Sequence, residues 1–192
     1  MNVLILNASP RPKGNISRML DAMRLEAERL GAQVTPVRIS DLHIRPCTGC
    51  MACRSRLACV LPEDDAQRVL RLIQTCELLI VGAPCYWGNM PGALKVMFDR
   101  QVYGLMGESR SGIPQPLHKG KRAVLVSTST TPFPFNILFR QTRGTIRALR
   151  EILRWSGFKI CATLEVGGTK NAPVDEKKLE RCRKMVRKSL KS

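Results

Sequence analysis

Apolar residues in this chain fall into five short continuous runs, and the segments between them repeat apolar residues every three or four positions. A short continuous run is typical of a strand buried on both faces, whereas the wider spacing is typical of a helix with one buried face. The runs predict strands at residues 2–8, 34–41, 78–84, 122–128 and 159–168. The spaced segments predict helices at residues 16–30, 64–75, 91–103, 136–157 and 174–190.

The alternation of strands and helices predicts an α/β fold, in which helices cover both faces of a parallel sheet. Five strands suit the doubly wound, flavodoxin-like order 2-1-3-4-5. The second strand belongs at an edge of the sheet because Pro36 interrupts it. We expect a single domain over residues 1–192, with a cysteine-rich loop at 46–62 and a long Gly/Pro/basic loop at 104–121.

The chain is strongly basic, with 32 Lys and Arg against 15 Asp and Glu and a formal net charge of +17. Such a surface attracts anions, among them phosphates, nucleic acid and acidic proteins. The most basic segment, KKLERCRKMVRKSLKS, keeps its apolar residues at helical spacing, which favours a core-packed helix over a nucleic-acid arm. The sequence has neither a long apolar span nor the pattern of a secretion signal, so we expect a cytoplasmic protein without a membrane partner.

The loop after the first strand, SPRPKGNIS, has the residues of an anion site. Ser9, Asn15 and Ser17 offer hydrogen bonds, Gly14 allows close approach of the backbone, and Arg11 adds charge beside Lys13. The helix that follows presents unpaired N–H groups to this loop. An ordinary capped turn is the alternative interpretation.

The loop after the third strand begins APCYWGNMPG and places Tyr86 and Trp87 side by side at a strand end. Adjacent aromatic rings indicate a flat apolar ligand, and the backbone amides of residues 88–90 lie beside them. In doubly wound sheets the ligand sits beyond the carboxyl ends of the strands at the switch point. A phosphate at the first loop and a ring at the third indicate a mononucleotide such as FMN, although packing beneath a neighbouring subunit is a compatible alternative.

Together these loops resemble the flavodoxin-like NAD(P)H-dependent FMN reductases. The resemblance implies that FMN is bound, that NAD(P)H is a possible electron donor, and that the protein is a homodimer or homotetramer. It implies phosphate contacts from Ser9, Arg11, Asn15, Ile16 and Ser17. It implies ring contacts from Pro84, Tyr86, Trp87, Gly88, Asn89 and Met90. Cys85 stands in the same loop and is also a candidate cofactor-binding residue, which we expect to act by packing. The loop after the fourth strand, including Thr128 and Ser129, would reach the pyrimidine edge.

Four cysteines stand at the spacing C-x2-C-x2-C-x5-C, namely Cys47, Cys50, Cys53 and Cys59. Zinc sites usually split into two distant ligand pairs, and a disulfide framework conflicts with a reducing compartment. A 4Fe–4S cluster and free thiols therefore remain as alternatives. The segment, with its following acidic pair Asp64–Asp65, resembles the iron-sulfur flavoproteins, which implies a 4Fe–4S cluster. We expect the other thiols, Cys76, Cys161 and Cys182, in the core, and both histidines, His43 and His118, on surface loops.

The sequence therefore predicts an FMN-dependent oxidoreductase that passes electrons between FMN and a 4Fe–4S cluster. Such an enzyme needs no protein acid, base or nucleophile, because the cofactors supply the chemistry. Its electron partners could be small molecules or a ferredoxin-type protein. One alternative is an NAD(P)H-dependent FMN or quinone reductase without a cluster. The other is a nucleic-acid-binding regulator on the same scaffold, which is disfavoured because the aromatic residues are not interleaved with the basic ones.

Overall fold

The computed structural model of the chain describes residues 1–170 and 173–191. The strands are β1 (Asn2–Asn7), β2 (Gln33–Arg38), β3 (Leu78–Pro84), β4 (Met106–Glu108), β5 (Pro114–Pro116), β6 (Arg122–Thr128) and β7 (Lys159–Val166). The α-helices are α1 (Asn15–Arg29), α2 (Cys53–Arg56), α3 (Asp65–Thr75), α4 (Gly92–Leu105), α5 (Phe135–Leu138), α6 (Gln141–Ser156) and α7 (Glu176–Lys191). One 3-10 turn follows β2 at Ile39–Asp41.

The central sheet is parallel and has the strand order β2-β1-β3-β6-β7. This is the predicted order 2-1-3-4-5, because β4 and β5 form a separate antiparallel hairpin. The strand that contains Pro36 lies at one edge, as expected, and β7 lies at the other. The α/β, doubly wound prediction is confirmed.

Helices cover both faces of the sheet and form two apolar layers. Successive strand residues point to opposite faces, so Leu78 and Ile80 pack under α1 and α7. Leu79 and Val81 pack on the other face, under α3, α4 and α6. All four of these side chains are fully buried. This two-sided burial is the physical reason for the continuous apolar runs in the sequence.

Three predicted segments differ from the structure. The strand predicted at 34–41 ends at Arg38, and its last three residues form the 3-10 turn. The helix predicted at 136–157 is divided into α5 and α6, because Arg140 adopts a left-handed backbone conformation with φ of 55°. The predicted loop at 104–121 contains the short β4–β5 hairpin, which packs against α6. None of these changes alters the order of the central sheet.

Two side-chain predictions are wrong. His118 is only 4% exposed; its Nε2 lies 3.2 Å from the carbonyl oxygen of Gly104, and burial lowers its pKa. Cys161 lies on the edge strand β7 and is only partly buried, so it is not a core thiol. Cys76 and Cys182 are core thiols as expected, and burial raises their pKa values to about 11 and about 12.

Close packing at Gly82 of β3 fixes the position of α1. A Cβ at residue 82 would lie 2.7 Å from Cδ1 of Leu20 and 2.9 Å from Cγ2 of Ile16. The helix therefore rests directly on the strand backbone, which only glycine permits. Across the top of this layer, Arg187 of α7 donates a 3.0 Å hydrogen bond to Glu26 of α1.

Within residues 1–170 and 173–191, no helix combines the length and apolar character needed to cross a membrane.

Candidate functional site

A cavity of about 550 Å³ opens at the carboxyl end of the sheet. The loops that follow β1, β3, β6 and β7 form its walls, as expected for a ligand site at the switch point of a doubly wound sheet. Its lining residues are Ser9, Arg11, Lys13, Gly14, Asn15, Ile16, Arg18, Pro84, Cys85, Tyr86, Thr128, Thr130, Thr169, Lys170 and Pro173. The first and third loops therefore share one cavity.

Positive charge dominates this cavity. Four of its lining residues are basic, and none of the described lining residues is acidic: Arg11, Lys13, Arg18 and Lys170 are the cations. The first turn of α1 also points here, and the residue before it, Gly14, provides no side-chain cap. Uncapped N–H groups and the positive end of the helix dipole favour an anion at this position. The cavity is thus suited to a phosphate group.

A network of hydrogen bonds inside the first loop holds its shape. The buried Ser17 hydroxyl accepts from Asn7 Nδ2 at 2.9 Å and donates to the carbonyl oxygen of Arg11 at 2.8 Å. Ser9 Oγ accepts from the backbone N–H of Arg11 at 3.2 Å. Asn15 Oδ1 accepts from the N–H of Val174 at 2.9 Å, which ties the loop to the segment before α7. Ser17 and Asn15 therefore bond to the protein itself and help set the position of the loop.

The loop after β3 forms a tight turn with an unusual residue at its tip. Tyr86 and Asn89 exchange backbone hydrogen bonds of 2.9 and 3.0 Å across the turn. The two residues between them, Trp87 and Gly88, have φ values of 53° and 71°. A large side chain in this left-handed region is strained, and strain of this kind concentrates at functional sites. Because Trp87 is also fully exposed, its ring is available to a ligand or partner.

The start of α6 supports the ring loop from behind. A Cβ at Gly144 would overlap the carbonyl oxygen of Gly88, so these two backbones are in direct contact. The backbone N–H of Cys85 donates to the carbonyl oxygen of Thr128 at 2.8 Å, and the Cys85 thiol lies 3.4 Å from Gln141 Oε1. The loop is therefore held by α6 on one side and by β6 on the other.

The structure brings many, but not all, of the expected cofactor-binding residues into the cavity. Those that line it are Ser9, Arg11, Gly14, Asn15, Ile16, Pro84, Cys85, Tyr86 and Thr128. Those outside its lining are Ser17, Trp87, Gly88, Asn89, Met90 and Ser129. Asn89 and Met90 instead line a groove of about 320 Å³ between α4 and α6. Ser129 is buried, and its carbonyl oxygen accepts a hydrogen bond from Thr169 Oγ1.

One wall of the cavity was not predicted from the sequence. The loop after β7 forms it and contributes Thr169, Lys170 and Pro173, whereas the predictions covered only the loops after the first, third and fourth strands. The signal was the glycine pair at 167–168, followed by polar residues at a strand end. Because all the carboxyl ends of parallel strands meet at one edge of the sheet, the fifth loop belongs to the same rim.

The four clustered cysteines line a second cavity of about 210 Å³, between their loop and α4. Cys47 and Cys50 are exposed, whereas Cys53 and Cys59 are partly buried. Burial is the largest cause that raises the pKa of Cys53, and the charges of the other three thiols add to it. The other three thiols therefore lie near enough to Cys53 to oppose its ionisation.

The backbone of the cysteine loop is tightly coiled. Met51 and Leu57 have positive φ values of 58° and 53°, and Gly49 has a φ of 69°. Each non-glycine residue in this region costs on the order of 1–3 kcal/mol, a cost usually found where function requires a particular shape. At the rim, Arg54 forms an ion pair of 2.6 Å with Glu108, which holds the loop to the start of the hairpin. The sequence spacing alone did not indicate this strain.

A buried arginine of α4 joins the cysteine loop to the acidic pair. The Arg100 side chain is 0% exposed. Its Nε donates to Cys59 Sγ at 3.1 Å, and its Nη1 donates to Asp64 Oδ2 at 2.8 Å and to the carbonyl oxygen of Arg45 at 2.7 Å. Burial alone would lower the pKa of Arg100, but the bonds to Asp64 and Cys59 outweigh it and raise the pKa above its ordinary value. The guanidinium therefore stays charged beside the cysteines.

The cysteine side chains are gathered but not closed around a centre. Among residues 1–170 and 173–191, no group of three or more His, Cys, Asp or Glu side chains is arranged to hold a metal ion. The donor set nevertheless has the composition that a 4Fe–4S cluster requires, four thiolates on one compact loop. The lining of this cavity has no residue in common with that of the cavity after β1 and β3.

Comparison with known proteins identifies the family. A model of the NADPH-dependent FMN reductase family matches residues 1–161. The chain belongs to this family. An iron-sulfur flavoprotein of Archaeoglobus fulgidus is 37% identical over 105 residues, which cover 54% of this chain and 47% of that protein. An FMN-dependent NADH:quinone oxidoreductase 3 of Pseudomonas aeruginosa is 24% identical over 207 residues, with 99% of this chain and 93% of that protein covered.

The chain spans about half the length of the iron-sulfur flavoproteins that match it at 32–37% identity. The fold is shared more widely. The crystal structure of an azoreductase from Bacillus anthracis superposes with a TM-score of 0.76 at 13% identity, covering 98% of this chain and 99% of the other. At this low identity the likeness shows the flavodoxin-like fold alone.

Proposed function

We propose that this chain is a flavin-dependent oxidoreductase that binds FMN at the carboxyl end of its sheet. The phosphate would lie against the loop after β1 and the ring against the loop after β3. The observation that carries this proposal is the cavity that both loops share, with four basic lining residues and no acidic one among those described. Membership of the FMN reductase family supports it.

We further propose that Cys47, Cys50, Cys53 and Cys59 hold a 4Fe–4S cluster, and that electrons pass between it and FMN. Their shared cavity and the positive charge of Arg100 support this, because the thiolates that hold a cluster are negative. Sequence similarity to an iron-sulfur flavoprotein points the same way. When bound, FMN supplies both hydride and single-electron chemistry, and a 4Fe–4S cluster supplies a single-electron carrier. The chain's own residues bind and orient these groups.

A flavin reductase without a cluster is the second candidate. Cys47 and Cys50 are exposed, and the four thiols are not arranged as a closed ligand set. Similarity over almost the whole chain does not separate the two candidates, because an NADH:quinone oxidoreductase and an iron-sulfur flavoprotein each match it at 24% identity. In both candidates NAD(P)H is a suitable electron donor, and a ferredoxin-type protein is a suitable partner of the first.

FMN titration of the apoprotein, monitored by flavin fluorescence, tests the phosphate site. We expect one FMN per chain, and we expect Arg11→Gln to weaken FMN binding while leaving riboflavin binding unchanged, because riboflavin has no phosphate. Arg24→Gln is the matched control, since Arg24 lies on α1, outside the cavity lining, and pairs with Glu28. An apoprotein that does not bind FMN, or equal effects of Arg11→Gln on both ligands, would contradict the proposal.

Iron and sulfide analysis of anaerobically purified protein tests the cluster. We expect four irons and four sulfides per chain and, beyond the flavin bands, a broad visible absorbance that bleaches on reduction. Cys53→Ala should abolish both signals, whereas Cys161→Ala, which removes a partly buried thiol on β7, should leave them intact. If the wild-type protein contains FMN but no iron, the second candidate is correct.

We also propose that the chain forms a homo-oligomer through the rim beside the ring loop. The ring loop lies next to the junction of α5 and α6, since a Cβ at Gly88 would lie 3.7 Å from the carbonyl oxygen of Arg140. The exposed apolar side chains of both segments are therefore close together. The exposed set is Tyr86, Trp87, Phe133, Phe135, Leu138 and Phe139. Contiguous exposed apolar surface commonly marks an interface. Light scattering should detect a dimer or tetramer; a monomer that retains FMN and full activity would contradict this.

A further inference from the structure

We propose that Arg100 is a positioning residue for the iron-sulfur site. Its side chain donates a hydrogen bond to the Cys59 sulfur and thereby holds the bound cluster at a more positive reduction potential. This inference rests on the proposed cluster and deepens it. It follows from the position of a buried cation in the wall of the cysteine cavity.

The Arg100 guanidinium is in direct contact with the cysteine loop. Its Nε lies 3.1 Å from Cys59 Sγ, and the neighbouring Nη1 is anchored to Asp64 at 2.8 Å and to the backbone of Arg45 at 2.7 Å. The Nη1 group donates to two acceptors, Asp64 and the backbone of Arg45, and thereby fixes the planar guanidinium. The Nε–H then points at the Cys59 sulfur. A rigid fork of this kind is specific to arginine and is not reproduced by lysine.

The same side chain has an unpaired donor. Arg100 Nη2 is buried and has no hydrogen-bond partner within residues 1–170 and 173–191. A buried donor without an acceptor is unfavourable, and such groups are rare in folded proteins. Because Arg100 lines the cysteine cavity, an anionic group bound in that cavity would offer the missing acceptor. The four thiolates of a cluster site, with the sulfides between them, are such a group.

A fixed cation at this position affects redox chemistry. Reduction of a cluster adds one negative charge, which a nearby cation stabilises. Hydrogen bonds to the ligand sulfurs act in the same direction, and both are established determinants of cluster potential. Asp64 offsets part of the charge of Arg100, but it contacts Nη1, whereas Nε faces Cys59. Removing the arginine therefore makes the cluster harder to reduce.

The test is a potentiometric titration of the cluster-loaded protein, monitored by electron paramagnetic resonance. We expect Arg100→Gln to lower the equilibrium constant for cluster reduction at least tenfold, which is about 59 mV for a one-electron couple. Arg100→Lys keeps the charge but loses the fork, so its shift should have the same sign and be smaller. Arg71→Gln is the matched control, because Arg71 pairs with Glu63 in solvent. It should leave the potential unchanged.

The outcomes separate this inference from the proposed function. Wild-type protein that contains no iron and sulfide removes the cluster and, with it, the role of Arg100. Wild-type protein with a cluster, together with an Arg100→Gln variant at the wild-type potential, overturns the role of Arg100 alone. A purely structural role would lower stability without moving the potential. If Arg100→Gln does not fold, Arg100→Lys decides, and an unshifted potential there overturns the hydrogen bond to Cys59.

Discussion

Replacing Ser17 by alanine distinguishes a residue that shapes the phosphate loop from one that binds the phosphate. The family resemblance implies that Ser17 contacts the phosphate, whereas the structure gives its hydroxyl two protein partners, Asn7 Nδ2 and the carbonyl oxygen of Arg11. Ser17 is 3% exposed, so water does not readily replace either bond. At about 1 kcal/mol for each hydrogen bond lost, we expect the apoprotein to lose about 2 kcal/mol of unfolding free energy.

Urea denaturation of the apoprotein, followed by circular dichroism, measures this loss directly. At about 2–4 °C per kcal/mol for a protein of this size, the same change should lower Tm by about 4–8 °C. Ser40→Ala is the control, because Ser40 is exposed and bonds to the neighbouring side chains of Arg38 and Asp41; we expect a change within about 0.5 kcal/mol. If Ser17→Ala keeps wild-type apoprotein stability and loses only FMN affinity, the hydroxyl acts on the phosphate and its role in shaping the loop is refuted.

Three further predictions concern the ring loop and the helix layer. Trp87→Gly should raise apoprotein stability by about 1 kcal/mol, because it relieves a left-handed backbone at an exposed residue, and it should weaken FMN binding; an unchanged urea midpoint would argue against the strain. Gly144→Ala should raise the FMN dissociation constant at least about tenfold by displacing Gly88, although alanine alone favours a helix by about 1 kcal/mol; normal FMN binding would show that the contact does not position the loop. The hydrogen bond from Arg29 is the largest cause that lowers the pKa of Glu26, and the bond from Arg187 adds to it. Burial acts in the opposite direction, and the net result is a pKa lowered from 4.5 to about 2. Its stabilisation is therefore present above pH 4.5 and lost as the pH falls towards 2, so Glu26→Gln should destabilise the protein at pH 7 and have little effect near pH 2; an equal effect at both values would contradict the ion pair.

The fold followed from the sequence because its determinants are local. Each central strand is buried on both faces, so residues such as Leu78 and Leu79 both had to be apolar, and the run itself identified the strand. The division of the last long helix did not follow, because the left-handed conformation of Arg140 arises where α5 and α6 meet the ring loop. The burial of His118 likewise depends on Gly104 and Phe158, which are distant in sequence.

The candidate site was partly predictable for the same reason. Loops with recognisable composition, such as the one containing Gly14 and the one containing Trp87, were found from their residues. Arg100 was not found, because its sequence neighbourhood shows only a helix, and its partners come from 36 to 55 residues earlier in the chain. Whether a residue lines the cavity or supports it, as Ser17 does, depends on which hydrogen bonds it makes in the folded chain.

The contact at Gly82 means that one position in the sheet determines where the anion-binding loop lies. A hydrogen atom there sets how closely the first crossover helix lies on the third strand, and thereby the height at which its cationic front edge stands above the sheet. Any larger group at this position would lift the whole helix and carry the anion cradle with it. Substitutions in the rim loops can therefore change ligand preference more readily than a substitution at Gly82. The contact at Gly82 fixes the position of α1, on which the rest of the binding edge depends.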